Sequence, residues 1–294
     1  MIRRDFLTLL LAAAATPARA AHGPEVRFGL TPVVLRDNIR FFDRFARYLG
    51  QRLGHPVRFV RTRTYQEVMD KLREEDLDFA WICGYPLVQK RDPEFLELLS
   101  VPIFKGEPLY QSYIIVHKDS QFRNLEELRD HVFAFSDPNS NSGYLYPRFA
   151  LTQRGYRPER FFRLSFFTYN HAETVQAVAE RVADGGAVES YIFTMISRLH
   201  PELAAETKII ERSPSFGFPP IVAHVGTSSR LRSDMTIALA EMGGTPEGRA
   251  LLQELGLDGF GEFPSSLFDG IAAMARRMGQ MPSVAGKRAK SQGG

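Results

Sequence analysis

The strongest constraint on this chain is a repeated switch in hydrophobic period. Val26–Leu30 is a short apolar run, and residues 36–53 that follow are amphipathic and stop at Gly54. The pattern then returns as an apolar run at 57–60, an amphipathic segment at 65–74, and a second run at 77–82 that enters Cys83-Gly84-Tyr85-Pro86. Period-two runs predict strands and 3.6-period runs predict helices. Strand and helix in alternation predict an α/β fold, a largely parallel sheet with helices on its faces, whose ligands bind beyond the carboxyl ends of the strands. The loops at Thr31 and at residues 83–86 fall at that end.

A second unit follows the same logic. Strands are expected at 98–104 and 110–117, with a short helix at 124–129. Next come a strand at 132–136, a polar turn at 137–143, a helix at 144–154, a strand at 162–169 and a helix at 171–184. Residues 185–191 and 209–212 read as further strands, and 219–225 carries the chain back to the first unit. Helices at 234–243 and 245–255, the latter opened by Thr245-Pro246-Glu247, would pack there. The expected architecture is two α/β lobes, one made of 21–110 with 222–285 and the other of 111–221. Two crossing segments, near 110–116 and 219–225, join them. Two crossings make a hinge, and a cleft on a hinge closes around a small molecule. No fixed-period repeat is present, which excludes solenoids and propellers.

The ends read as processing and tail. Arg3-Arg4, an apolar run over 6–15 and Ala18-Arg19-Ala20 predict an export signal over residues 1–20 cleaved after Ala20. Arg3-Arg4-Asp5-Phe6-Leu7 fits a twin-arginine signal, and an ordinary secretory signal fits as well. Taking the leader's three basic and one acidic side chains from 37 and 34 leaves 34 basic against 33 acidic. Three of those basic residues sit in the Gly/Ser-containing tail 286–294, expected to be disordered. The body therefore lacks the basic face of a nucleic-acid binder. Cys83 is the single cysteine, so there is no internal disulfide, and the seven histidines show no ligand spacing. No cofactor or metal is expected.

The chemistry concentrates in Ser136-Asp137-Pro138-Asn139-Ser140-Asn141-Ser142-Gly143-Tyr144-Leu145-Tyr146-Pro147. A strand leads through hydroxyl and amide side chains to a glycine and a helix. The first turn of a helix offers unpaired N–H groups and the positive end of its dipole, to which Ser140, Asn141 and Ser142 add donors. The same residues also suit an ordinary helix cap. Spacing alone leaves both readings open.

With Asp137-Pro138-Asn139-Ser140-Asn141-Ser142-Gly143 and Pro147, the sequence resembles the phosphate/phosphite/phosphonate-binding proteins of ABC importers, the PhnD family, whose loop reads Asp-Pro-x-Ser-Thr-Ser-Gly. Further family-like stretches are Tyr65-Gln66-Glu67-Val68, Leu77-Asp78-Phe79-Ala80-Trp81, Tyr110-Gln111-Ser112-Tyr113, the run from His171 to Val178, and Thr245-Pro246-Glu247-Gly248-Arg249. The resemblance implies a type II periplasmic binding protein of the Venus flytrap kind, monomeric and located in the periplasm. Ser140, Asn141, Ser142 and His171 would hold a small oxyanion, and Thr31 and Tyr85 of the first lobe would cover it. Its partner would be an ABC permease or the outer domain of a sensor kinase.

The departures bear on the ligand. The middle loop hydroxyl of the family is Asn141 here, and Phe216-Gly217-Phe218-Pro219 has no carboxylate where aminoalkylphosphonate binders carry one. A ligand without an amine is favoured. Glu189 stands as either a nearby carboxylate or a surface charge at a strand end. Cys83 reads as a small buried residue, or as a thiol ligand in the manner of arsenite sensors that resemble this family. No nucleophile motif surrounds it, and an enzyme is not expected.

Overall fold

The computed structural model describes residues 25–31, 39–89 and 95–279. The leader, its cleavage point and the tail 286–294 lie outside the described residues, as does the start of the helix expected from residue 36.

The first half runs β1 (Val26–Leu30), α1 (Ile39–Leu53), β2 (Val57–Arg61), α2 (Tyr65–Arg73), β3 (Phe79–Trp81), α3 (Gly84–Gln89) and β4 (Leu96–Ile103). On α1 the apolar positions Phe41, Phe42, Phe45, Tyr48, Leu49 and Leu53 recur every three to four residues, and all are buried. Thr64 caps α2 by accepting from the Glu67 N–H. A short β5 (Leu109–Tyr110) precedes β6 (Ser112–His117), β7 (Val132–Phe135), α4 (Tyr146–Gln153), β8 (Leu164–Phe167), α5 (His171–Ala179) and β9 (Gly185–Glu189). Then come α6 (Ser190–Leu199), α7 (Pro201–Ala205), β10 (Thr207–Arg212), β11 (Phe216–Gly217), β12 (Ile221–His224), α8 (Ser229–Ala240), α9 (Pro246–Leu255), β13 (Gly259–Gly261) and α10 (Asp269–Arg277).

Two sheets organise these elements into two α/β lobes. One is six-stranded, ordered β13-β4-β12-β3-β1-β2, and the other five-stranded, ordered β10-β6-β9-β7-β8. In the first, β1 is parallel to β2 and β3, while β12 and β13 join antiparallel. In the second, β7 is parallel to β8 and β9, with β6 antiparallel between β9 and β10. Between the sheets β5 and β11 form a two-stranded ribbon, Tyr110 opposite Phe216 and Leu109 opposite Gly217.

Several expectations need correction. The run 110–117 is not one strand: it breaks at Gln111, whose side-chain amide donates to the Ser213 carbonyl at 2.7 Å, and its two pieces serve different sheets. The strand expected over 185–191 ends at Glu189, because Ser190 starts α6 and its hydroxyl accepts from the Gln111 N–H. The helix expected from 144 begins at Asn141 as a π turn, Asn141–Leu145, before α4. The helices α3, α6, α7 and α10 were not anticipated. Among the described residues no helix is long and apolar enough to cross a membrane.

Candidate functional site

The site forms where the carboxyl ends of β7 and β9 meet the starts of α5 and the π turn. Ser140 caps that turn, its hydroxyl oxygen accepting from the Gly143 N–H at 2.9 Å. The Leu145 N–H reaches back to the Ser140 carbonyl, the wider loop of π geometry. Gly143 is required by close approach: a Cβ there would lie 2.2 Å from Ser136 Oγ. The Ser112 hydroxyl donates to the Ser142 carbonyl at 2.7 Å, and Ser112 faces Glu189 across the β6–β9 ladder. These bonds hold the loop beside Glu189.

Elements of the other half close over the loop. The Asn141 N–H donates to Cys83 Sγ at 3.4 Å, and the Asn141 side-chain amide donates to the Tyr110 hydroxyl at 2.9 Å. The Tyr65 N–H, at the start of α2, donates to the Asp137 carboxylate at 3.2 Å, whose other oxygen accepts from the Asn139 N–H. Ser140, Asn141 and Ser142 are 0% exposed, and His171 and Glu189 1%. A site so enclosed cannot exchange a guest with water unless the lobes part.

Four side-chain atoms here are buried without a hydrogen-bond partner among the described residues: Asn141 Oδ1, Ser142 Oγ, His171 Nε2 and Glu189 Oε1. An unpaired buried polar atom costs about 1–3 kcal/mol, so a group of them marks a place shaped for a polar guest. The imidazole orientation follows from its neighbours. The Glu189 backbone N–H can only donate, and it reaches His171 Nδ1 at 3.2 Å, with Ser136 Oγ 2.8 Å from the same nitrogen. The ring proton therefore sits on Nε2, the unpartnered atom, 3.8 Å from Glu189 Oε2.

Burial sets the charge state. It lowers His171 to about 3 and raises Glu189 to about 8, with no neighbouring charge contributing to either shift. Burial likewise pushes the Cys83 thiol up to about 12, holds the Tyr65 and Tyr110 hydroxyls well above the usual range and raises Asp137. At neutral pH the imidazole, the thiol, both phenols and most of the Glu189 carboxyl are uncharged. The positive end of the helix supplies the field that an anion would meet.

Of the residues singled out in the sequence, Ser140, Asn141, Ser142, His171 and Cys83 come together. Ser140 is a helix cap, as the capping reading of the loop expects. Thr31 and Tyr85 are buried and already engaged: the Thr31 hydroxyl donates to the Trp81 carbonyl at 3.2 Å, and Tyr85 shares a hydrogen bond with Gln89. Glu189 is a buried wall of the site, and the reading of it as a surface charge is overturned by its 1% exposure. Ser136, Tyr110, Ser112 and Tyr65 were missed. Ser136 adjoins the loop motif, and Tyr65, Tyr110 and Ser112 fall in the family-like stretches at 65–68 and 110–113, a signal that assigned them no role. A shallow groove of about 650 Å³ between α1 and β2, lined by Asp43, Arg47 and His55, lies on the outer face, where water competes for any polar guest.

The chain was compared with known families, proteins and structures. The family model described as ABC transporter, phosphonate, periplasmic substrate-binding protein matches residues 28–267, and the chain belongs to that family. It is 25% identical over 248 residues to the Phosphonates-binding periplasmic protein of Escherichia coli (strain K12), covering 82% of this chain and 73% of that protein. Among solved structures, a binding protein component of an ABC phosphonate transporter from Pseudomonas aeruginosa superposes with a TM-score of 0.79 at 22% identity, covering 85% of each chain. PhnD1 from Prochlorococcus marinus in complex with methylphosphonate gives a TM-score of 0.78 at 20% identity, over 87% of this chain and 99% of that one. The fold is that of the two-lobed periplasmic binding proteins.

Proposed function

We propose that this chain captures a small phosphorus oxyanion, a phosphonate, phosphite or phosphate, in the periplasm and delivers it to an ABC permease. The observation that carries this reading is the cluster of unpartnered buried atoms on Asn141, Ser142, His171 and Glu189 at the end of a helix. Tetrahedral oxygens would take hydrogen bonds from the Ser142 hydroxyl, the His171 Nε2–H and N–H groups of the first turn. The ribbon of Leu109–Tyr110 and Phe216–Gly217 is the hinge, and opening about it admits the ligand. Binding without chemistry is the reading we favour: Cys83 is a protonated thiol bonded to the Asn141 N–H, and the Ser136 hydroxyl beside His171 Nδ1 is buried and donates to the Ala187 carbonyl at 2.9 Å. The chain acts as a monomer, since capture and delivery need one cleft.

A metalloid sensor held through Cys83 would feed a sensor kinase instead. That reading is the weaker, because a buried thiol at about 12 gives little thiolate and the chain has no second cysteine. A thermal-shift series with phosphate, phosphite, methylphosphonate, 2-aminoethylphosphonate, sulfate, arsenate and arsenite separates the two, because a ligand of the native state raises the melting temperature. A shift with phosphorus oxyanions supports the proposal. A shift with arsenite alone, lost in Cys83→Ala, overturns it in favour of the sensor.

A further inference from the structure

The oxyanion reading leaves the charge balance of the site unexplained. An anion enters a dry cluster, yet among the described residues Glu189 is 1% exposed, its Oε1 has no hydrogen-bond partner, its Oε2 lies 3.8 Å from His171 Nε2, and no Lys or Arg bridges either side chain; burial disfavours charge on both. The groups facing Glu189 come from every element around it: His171 of α5, Tyr191 of α6, Tyr110 of β5, Tyr65 of α2 and Cys83 ahead of α3. Each of them is neutral near pH 7. A carboxylate at this position would place a second negative charge next to the anion with nothing to offset it. A carboxylic acid there would do the opposite, offering an O–H donor beside His171 Nε2–H.

Resting on the oxyanion reading, we propose that Glu189 binds the ligand as a neutral acid, so that capture of the anion fixes one proton on the His171–Glu189 pair and the site takes oxyanions that carry no ammonium group. The proton stands where another binding site would use a cation. The consequence is capture coupled to proton uptake: affinity falls once the solution pH exceeds the value at which the empty site gives up that proton. A ligand with an ammonium group would call for the opposite, an ionised Glu189.

The test is calorimetric titration of the wild-type protein and Glu189→Gln with methylphosphonate and with 2-aminoethylphosphonate, between about pH 6 and pH 9. The ligand's own ionisation weighs equally on both proteins and cancels in the comparison. With methylphosphonate, the wild type is expected to lose about tenfold more affinity per pH unit than Glu189→Gln above about pH 8. Parallel pH profiles for the two proteins overturn the proposal and leave the oxyanion reading intact. Tighter wild-type binding of 2-aminoethylphosphonate than of methylphosphonate, with the advantage lost in Glu189→Gln, also overturns it, since that is the behaviour of a carboxylate. Absence of binding by the wild type to methylphosphonate, 2-aminoethylphosphonate, phosphite and phosphate alike overturns both readings. Should Glu189→Gln fail to fold, infrared difference spectra of the wild type near pH 9 decide. Gain of a carboxylic-acid carbonyl band on adding methylphosphonate supports the proposal, and its absence refutes it.

Discussion

The backbone N–H of Asn141 points at the sulfur of Cys83 from 3.4 Å, joining the π turn that follows β7 to the end of β3 in the other sheet. One residue thus reports on two things, loop position and lobe closure. Cys83 is 2% exposed and its thiol is pushed to about 12 by burial. The folded protein at neutral pH should therefore react slowly with a maleimide, and more slowly still with ligand bound, because both thiolate formation and access require opening. Rapid labelling that ligand does not change would contradict the closure described here.

Ser142 separates binding from stability. Among the described residues its hydroxyl meets no partner within hydrogen-bond geometry, and its one polar neighbour, the Tyr110 hydroxyl, also accepts from Asn141, so Ser142→Ala removes a poorly paired buried group at little cost, while the guest loses a donor. The melting temperature without ligand should stay level or rise, and affinity for methylphosphonate should fall by about 1–3 kcal/mol. A drop in unliganded stability with affinity retained would mean that Ser142 serves the loop rather than the ligand.

Gly143→Ala should behave differently. The added Cβ would meet Ser136 Oγ at 2.2 Å and Ser140 Oγ at 3.1 Å, in a loop with no space to give. A loss of about 2–3 kcal/mol in unfolding free energy is expected from denaturant titration, together with loss of binding. Wild-type stability in this variant would show that the loop is looser than its packing implies.

Stability of the unliganded protein should follow the buried pair. His171 falls from 6.5 to about 3 on folding, so between those values the unfolded chain binds the extra proton and stability rises with pH. Glu189 rises from 4.5 to about 8, so between those values the folded chain holds the extra proton and stability falls with pH. The two slopes oppose each other from 4.5 to 6.5. These groups then predict a plateau in that interval, a decline toward pH 3 from His171 and a decline of about 2 kcal/mol between 6.5 and 8 from Glu189. Melting curves across this range test it, and Glu189→Gln should flatten the alkaline side. Stability that climbs from 6.5 to 8 would contradict the assignment.

Much of this was legible in the sequence because it is local. The strand–helix alternation, the capping Thr245 and the polar turn ahead of α4 are patterns within a few residues, although that turn winds into a π turn from Asn141 rather than ending at Gly143. Glu189 was ambiguous for the opposite reason. Its burial depends on Tyr65, Cys83 and Tyr110, which approach from elements far away in the chain. The helix α3 was hidden by Gly84 and Pro86, which read as loop although proline suits a first helical turn. The helix α6 did carry a signal, in the spacing of Tyr191, Ile192, Met195 and Ile196, but extending the strand to Tyr191 consumed its start.

The most direct test of the central claim is calorimetric titration of the purified protein with methylphosphonate, alongside a loop double variant, Asn141→Ala with Ser142→Ala. The account predicts saturable binding at one site per chain, reduced tenfold or more in the variant, while both proteins melt cooperatively. Equal affinity in the two proteins, or no saturable binding in the wild type, would contradict it.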